Sequence, residues 1–374
     1  MRIAINCRSF LKHNYTGIGR YAYNLVQSLC EVDQVNEYWL YAQKKYFDFK
    51  RQLPRVPARN FHVKVDWLGH GLARTLRDVD LYHAPSLESI NIVHSKIVVT
   101  IHDLVYKTYP AGHTQQTIDL TEAQLQRITE QADKIICCSR STMHDLCRYF
   151  PIAADKVCMV YQGVDKKIFF PLDEQQKLQA AEMLRHKGIP QRFILFVGTI
   201  EPRKNLQNLL LAFAEIKSHR RYPGKLVVVG MKGWMVEGLK GAIAKLKLQQ
   251  DVIFPGYVPD DELRSYYNLT DVFVFPSFYE GFGFPIVEAF SCGAPVITSN
   301  VSSCPEIAAD GALLADPYNP KEIEDGIMQA VEDSILRKSL QNNGQKRAAD
   351  FSFRKTAEET LAVYRQFVGS SNQK

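Results

Sequence analysis

Short apolar runs alternate with amphipathic stretches along this chain, and the alternation starts afresh halfway through. Apolar runs of about four to eight residues suit strands buried on both faces, and the helical-period stretches between them suit crossovers. The pattern therefore specifies βα units and largely parallel sheets. In the first half the strand candidates are residues 2–6, 38–42, 62–67, 81–84, 96–102, 134–139 and 156–160, with helices over 18–32, 114–132 and 141–150. In the second half strands are expected at 193–199, 225–230, 252–254, 272–276 and 295–299, separated by helices that begin at Asn205, Val236, Asp260 and Pro285.

Between the halves, residues 166–192 (KKIFFPLDEQQKLQAAEMLRHKGIPQR) interrupt the strand rhythm with proline, glycine and charge. The expected domains are 1–168 and 169–352, hinged over 165–171. The last segment sets Ala357, Leu361, Tyr364 and Val368 at helical spacing, so 353–374 should pack one face on something. A length of 374 residues, beyond what one core usually serves, agrees with two domains. Two such sheets facing each other make a cleft at the carboxyl ends of their strands, where open α/β sheets bind ligands.

The amino terminus, MRIAINCRSF, has neither a long apolar core nor a small-residue cleavage site, and no later run approaches the roughly 18 apolar residues of a membrane span. A cytoplasmic protein is expected. The eight cysteines form no CxxC pair and several lie in apolar segments, which suits reduced, mostly buried thiols, with a metal site or a catalytic cysteine as the alternatives. A net charge of +6 fits anionic small ligands or a membrane surface without demanding nucleic acid.

The most informative motif is YEGFGFPIVEAF, residues 279–290, which follows the apolar run VFVFPSF. Gly281 and Gly283 let backbone pass close to a ligand, and Pro285 suits the first turn of a helix whose leading amides can seat a phosphate. Glu280 stands ahead of those amides and Glu288 is expected on the first helical turn. A carboxylate on each side of a phosphate seat suits a ligand with a sugar at both ends of a diphosphate, a nucleotide sugar. The plainer reading makes Glu288 a partner of the helix dipole and Glu280 a solvated loop charge.

In VGTIEPRKNLQNLLLAF, residues 197–213, a strand ends at Gly198 and Thr199, and Arg203 and Lys204 precede Asn205, a candidate helix cap. Two cations there can neutralise a diphosphate and stabilise it as a leaving group, or be exposed charges with no ligand. In NYTGIGRYAYNL, Gly17 and Gly19 can offer amides to phosphate, but Ala22 breaks the GxGxxG fingerprint of dinucleotide sites. In VVTIHDLVY, His102 can donate to sugar hydroxyls or exchange protons, and Asp103 can orient it or act on an acceptor. A histidine satisfied in a packed turn is the alternative.

Two acidic pairs suggest metal only superficially. Asp78 and Asp80 have DxD spacing but enter a strand rather than follow one, and Asp260 and Asp261 open a helix. Residues 43–64 mix seven Lys or Arg residues with Tyr46, Phe47, Phe49 and Phe61. That mixture suits an anionic membrane surface, or an ordinary solvated face, better than nucleic acid.

In combination, GIGRY, HD, GTIEPRKNL and EGFGFPIVEAFSCGAPVITS resemble the retaining glycosyltransferases of family 4 (GT4) over nearly the whole chain. The resemblance implies the α/β GT-B fold, two Rossmann-like domains whose parallel sheets face across a cleft. It implies that Glu288 binds the nucleotide ribose, Glu280 the hydroxyls of the transferred sugar, and Arg203 and Lys204 the diphosphate. Gly17 and Gly19 would approach from the other domain, and amides of Phe282, Gly283 and Phe284 would contact sugar and phosphate. Gly198 and Thr199 would line the donor. The base would rest near Gly230, Met231, Tyr257 and Val258. His102 would lie beside the reaction centre, with Asp103 a candidate for acceptor binding or proton transfer, and the final helix would cross back onto the amino-terminal domain.

The implied chemistry keeps the anomeric configuration and needs neither a divalent ion nor another cofactor. The wording of GTIEPRKNL and HDL is similar to bacterial mannosyltransferases of surface polysaccharide synthesis. GDP-mannose is thus the first donor to expect, with UDP-sugars as the alternative and a glycan or lipid-linked oligosaccharide as acceptor at the inner membrane face. Rival readings are a nucleotide-sugar epimerase or phosphorylase on the same architecture and a sugar-binding protein without enzymatic activity. A nicotinamide dehydrogenase fits the sheets but lacks their phosphate fingerprint.

Overall fold

A computed structural model describes residues 1–11, 17–44, 53–54, 56, 58–88, 90–92, 94–231 and 236–367. The chain divides into two compact units. One comprises Met1–Lys107, His113–Gly163 and Ser352–Lys374, the other Thr108–Gly112 and Val164–Phe351.

The first unit is built on seven parallel strands: β1 (Arg2–Asn6), β2 (Glu37–Gln43), β3 (Phe61–Asp66), β4 (Leu81–Ala84), β5 (Lys96–Ile101), β6 (Lys134–Cys137) and β7 (Val157–Met159). Their order is β3-β2-β1-β4-β5-β6-β7, so the winding reverses between β1 and β4. Ile3, Ala4, Ile5, Val98, Val99, Ile135 and Ile136 are buried, which is why these runs read as continuous apolar strands.

The helix Phe353–Arg365 packs against the helix Gly17–Val32 and buries Ala357, Leu361 and Tyr364. Ser352 caps it by accepting from the Lys355 amide. A buried polar link fastens it as well: the Tyr364 hydroxyl lies 2.6 Å from Nδ1 of His83, whose Nε2 is 2.8 Å from the Thr100 hydroxyl. Burial drives the His83 pKa down to about 3, so the ring is neutral.

The second unit has six parallel strands: β8 (Phe193–Val197), β9 (Lys225–Val229), β10 (Val252–Gly256), β11 (Val272–Phe275), β12 (Val296–Ser299) and β13 (Ala312–Ala315). Their order is β10-β9-β8-β11-β12-β13, and the reversal falls between β8 and β11. Both sheets thus have the doubly wound order whose ligand crevice opens outside the carboxyl ends of the two central strands. Leu206, Leu209, Leu210, Phe213 and Ile216 of the helix Leu206–Ser218 cover one face of the second sheet's core.

Several local expectations change. The interrupted segment contains the helix Glu174–His186, started by a reciprocal capping box between Asp173 and Gln176. Its periodicity is faint because only Ala180 and Leu184 are buried. The strand β13 and the helices Pro320–Glu332 and Ser334–Ala348 complete the second unit beyond the elements read from the sequence. The change of unit falls between Gly163 and Val164, ahead of the expected boundary at 168. Residues 45–52, 55 and 57 of the basic aromatic segment and 368–374 of the last segment lie outside the described residues.

Candidate active site

The second unit's switch point is where β8 and β11 end, and the loops after them interlock. The Phe278 amide donates to the Arg203 carbonyl at 2.9 Å, and Arg203 Nη1 donates to the Tyr279 carbonyl at 2.6 Å. Glu280, 7% exposed, receives Arg203 Nη1 on one oxygen at 2.9 Å and Lys204 Nζ on the other at 2.6 Å. Arg203 also pairs with Glu201 through Nη2 at 2.5 Å. Burial works to raise the Glu280 pKa, but the Arg203 and Lys204 charges outweigh it and hold the carboxyl at about 2. Glu280 is thus an ionised, buried carboxylate that aligns two cations, not a solvated loop charge.

Three serines fix the glutamate's loop. The Glu280 amide donates to Ser302 Oγ, Ser303 Oγ donates to the carbonyls of Glu280 and Phe282, and Ser299 Oγ donates to the Ser277 carbonyl. The run SNVSSC after an apolar strand was the available signal for these residues. Gly283 has φ +102°, a left-handed conformation that favours glycine, and leads into the helix Phe284–Ser291 with Pro285 in its first turn.

Glu288 sits on that helix's second turn, not its first, because the helix starts at Phe284. It is 3% exposed and accepts from the Tyr267 hydroxyl at 3.1 Å, a partner with no motif of its own. Asn205 does not cap through its side chain. It adopts a left-handed backbone, and its side-chain Nδ2 donates to the carbonyls of Pro276 and Pro317, tying the β8 loop to the loops after β11 and β13.

The neighbouring strand ends pack too tightly for side chains. The Gly198 amide donates to the Val229 carbonyl and the Gly230 amide to the Gly256 carbonyl, both at 2.9 Å. A Cβ on Gly230 would lie 1.9 Å from the Gly198 oxygen. These contacts bring together the loops of Gly198 and Thr199, Gly230 and Met231, and Tyr257 and Val258. Met231 and Tyr257 are exposed, whereas Val258 is buried.

In the first unit, Gly17 is the first residue of the helix Gly17–Val32 and Gly19 is buried in its first turn. His102 follows β5. Its Nε2 lies 2.8 Å from the Pro85 carbonyl, which can only accept, so Nε2 carries the proton and Nδ1 accepts from Gln162 Nε2 at 2.6 Å. Burial lowers the His102 pKa, and its ring meets the edge of Tyr21 at 4.9 Å between centroids. Both nitrogens are therefore engaged within the protein, an arrangement that the HD motif alone does not disclose. Asp103 accepts from the Val105 amide. The Asp80 carboxylate accepts from the Arg2 amide, and Asp260 and Asp261 lie in the first turn of the helix Asp260–Leu269. No group of three or more His, Cys, Asp or Glu able to hold a metal occurs among the described residues.

Two doubly wound parallel lobes, with an acid and cation cluster at the second lobe's switch point, define a GT-B glycosyltransferase. A model of glycosyl transferases group 1 matches residues 181–347, and one of glycosyltransferase family 4 matches residues 15–167. The chain is 30% identical over 380 residues to O-antigen chain mannosyltransferase B of Escherichia coli, covering 95% of this chain and 97% of that one. Sucrose-phosphate synthase from Thermosynechococcus elongatus shares the fold with a TM-score of 0.78 at 22% identity, over 99% of both chains. HepE of Anabaena, solved with UDP and glucose, shares it with a TM-score of 0.76 at 18% identity, over 98% of this chain and 100% of that one. The chain belongs to the family 4, group 1 glycosyltransferases, as its motifs suggested, and is a nucleotide-sugar-dependent glycosyltransferase.

Proposed function

We propose that the protein moves a hexose, mannose from GDP-mannose in the first instance, onto a glycan or lipid-linked acceptor of surface polysaccharide synthesis, with retention of anomeric configuration. The observation that carries this reading is the Arg203, Lys204 and Glu280 cluster at the second unit's switch point. The choice of mannose rests on the likeness to the E. coli O-antigen enzyme.

In this reading the donor diphosphate shares Arg203 and Lys204 with Glu280, whose carboxylate keeps both cations aimed and accepts hydroxyls of the sugar. Glu288, steadied by Tyr267, accepts the ribose hydroxyls, and the first amides after Gly283 receive phosphate or sugar oxygens. The strand-end loops of Gly198, Gly230 and Tyr257 take the nucleoside.

The bond from the anomeric carbon to the diphosphate oxygen breaks, and a bond to the acceptor oxygen forms on the same face. The acceptor proton passes to the departing diphosphate, whose charge Arg203 and Lys204 stabilise. A neutral His102 held at both nitrogens is not poised as a proton carrier. The test is incubation with GDP-mannose, UDP-glucose and a glycan acceptor, with the product's anomeric proton read by NMR. An α-product from an α-donor supports the reading. An inverted product, or donor consumption that needs no acceptor, overturns it.

A further inference from the structure

Three aromatic side chains form a ladder beside the cation cluster, all within the second unit. Phe278 follows β11, Tyr318 follows β13, and Tyr109 lies in the short segment Thr108–Gly112 that belongs to this unit. The Tyr109 and Phe278 rings stack at 5.8 Å between centroids with 13° between their planes, and Phe278 meets Tyr318 at 4.6 Å and 31°. Tyr109 and Phe278 are partly buried, whereas Tyr318 is 66% exposed.

The backbone under these rings is tied down. The Phe278 amide donates to the Arg203 carbonyl at 2.9 Å, which fixes the middle ring against the loop that carries both cations. The Pro317 carbonyl, immediately before Tyr318, accepts from Nδ2 of Asn205 at 2.6 Å and from Nδ2 of Asn208 at 2.8 Å, and the Tyr318 amide donates to Asp316 Oδ1 at 2.9 Å. A ring left largely in water on a backbone held this firmly forgoes apolar burial, yet it is pre-organised for a ligand that covers it.

Position narrows the ligand. The loops assigned to the nucleoside follow β9 and β10, on one side of β8, while Phe278 and Tyr318 follow β11 and β13, on the other. Glu280, assigned to the sugar, stands two residues beyond Phe278. The ladder therefore lies on the sugar side of the cluster, away from the base. A pyranose presents C–H groups on its faces and hydroxyls round its rim, so the electron-rich face of an aromatic ring receives the first while tyrosine hydroxyls pair with the second. We infer that Tyr109, Phe278 and Tyr318 form a stacking subsite for a sugar ring of the glycan acceptor, with Tyr318 as its main contact. This rests on the glycan acceptor of the proposed function and extends it: the second unit takes part in choosing the acceptor.

The test is saturation-transfer NMR on the full-length protein with GDP present, irradiating its aromatic protons and reading the C–H protons of mannotriose, maltotriose and cellotriose. Transfer to at least one trisaccharide is expected in wild type. Tyr318→Ala should bind that sugar at least about fivefold more weakly, and Tyr318→Trp, which keeps an aromatic face, within about twofold of wild type. Wild type that shows no transfer to any of the three, or a Tyr318→Ala variant that binds as tightly as wild type, overturns the proposal. A Tyr318→Trp variant as weak as Tyr318→Ala overturns it too, since a ring would then not be what the sugar stacks on. GDP affinity, measured by calorimetry, should be the same in all three proteins, which separates a lost subsite from a lost fold. Donor choice and retention are read from turnover with GDP-mannose, so the functional reading can fail while ladder-dependent sugar binding stands.

Discussion

Glu280 is buried yet ionised, and two cations account for that. Its pKa of about 2, against an ordinary 4.5, fixes the sign of its linkage to pH. A carboxylate depressed by folding adds stability in full above about pH 4.5 and loses it as pH falls toward 2. Comparing unfolding free energies of wild type and Glu280→Gln across that window should show a gap that is constant above pH 5 and narrows in acid. A gap independent of pH would mean that the ion pairs do not form in solution. For turnover, Lys204→Ala should lose about a hundredfold or more with the fold intact, because in the proposed mechanism its charge is needed most as the diphosphate departs. Wild-type turnover at saturating donor would remove Lys204 from the site.

His102 offers a second test at this scale. Gln162 donates to the lone pair of Nδ1 and so stabilises the neutral ring beyond what burial does. Gln162→Leu should raise the His102 pKa, and Gln162→Glu should raise it further, as followed by an NMR titration of the imidazole. An unchanged titration in both variants would show that the contact does not hold the ring.

Among the elements, those with a strong period were legible and those without were not. β1 and β4 matched residue for residue because their apolar runs have abrupt polar ends, and the switch-point motifs stood out because glycine, proline and paired charge interrupt apolar runs. The helix Glu174–His186 stayed hidden because one shallow face is buried, and β13 because its four residues lie at a sheet edge. What a one-dimensional pattern could not carry was partnership: that Glu280 gathers Arg203 and Lys204, that Tyr267 steadies Glu288, or that Gln162 reaches His102.

Two elements can be tested directly. Gly230→Ala places a methyl 1.9 Å from the Gly198 oxygen, so the strand-end loops must separate, and a loss of about 1–3 kcal/mol in chemical denaturation is expected together with weaker nucleotide binding. Tyr364→Phe leaves Nδ1 of His83 without its hydroxyl partner, Thr100 still holding Nε2, and should cost about 1–3 kcal/mol in the first unit, while nucleotide binding by the second persists.

At the scale of the molecule, the two sheets repeat one winding order but serve different ends. The second gathers acid, cations and helix amides at its reversal, a place suited to an anionic nucleotide. The first holds a neutral histidine between strand-end loops. A ligand that binds only the folded state raises stability as RT ln(1 + [L]/Kd), so nucleotide preference is readable from the melting of the intact chain.

The measurement that bears most directly on the central claim is a thermal melt of wild type and Lys204→Ala, each with and without millimolar GDP. The diphosphate site assigned to Arg203, Lys204 and Glu280 requires a clear rise in Tm for wild type and a rise largely absent in Lys204→Ala, with both proteins folded before ligand is added. An equal rise in the two proteins would place the diphosphate elsewhere and contradict the assignment.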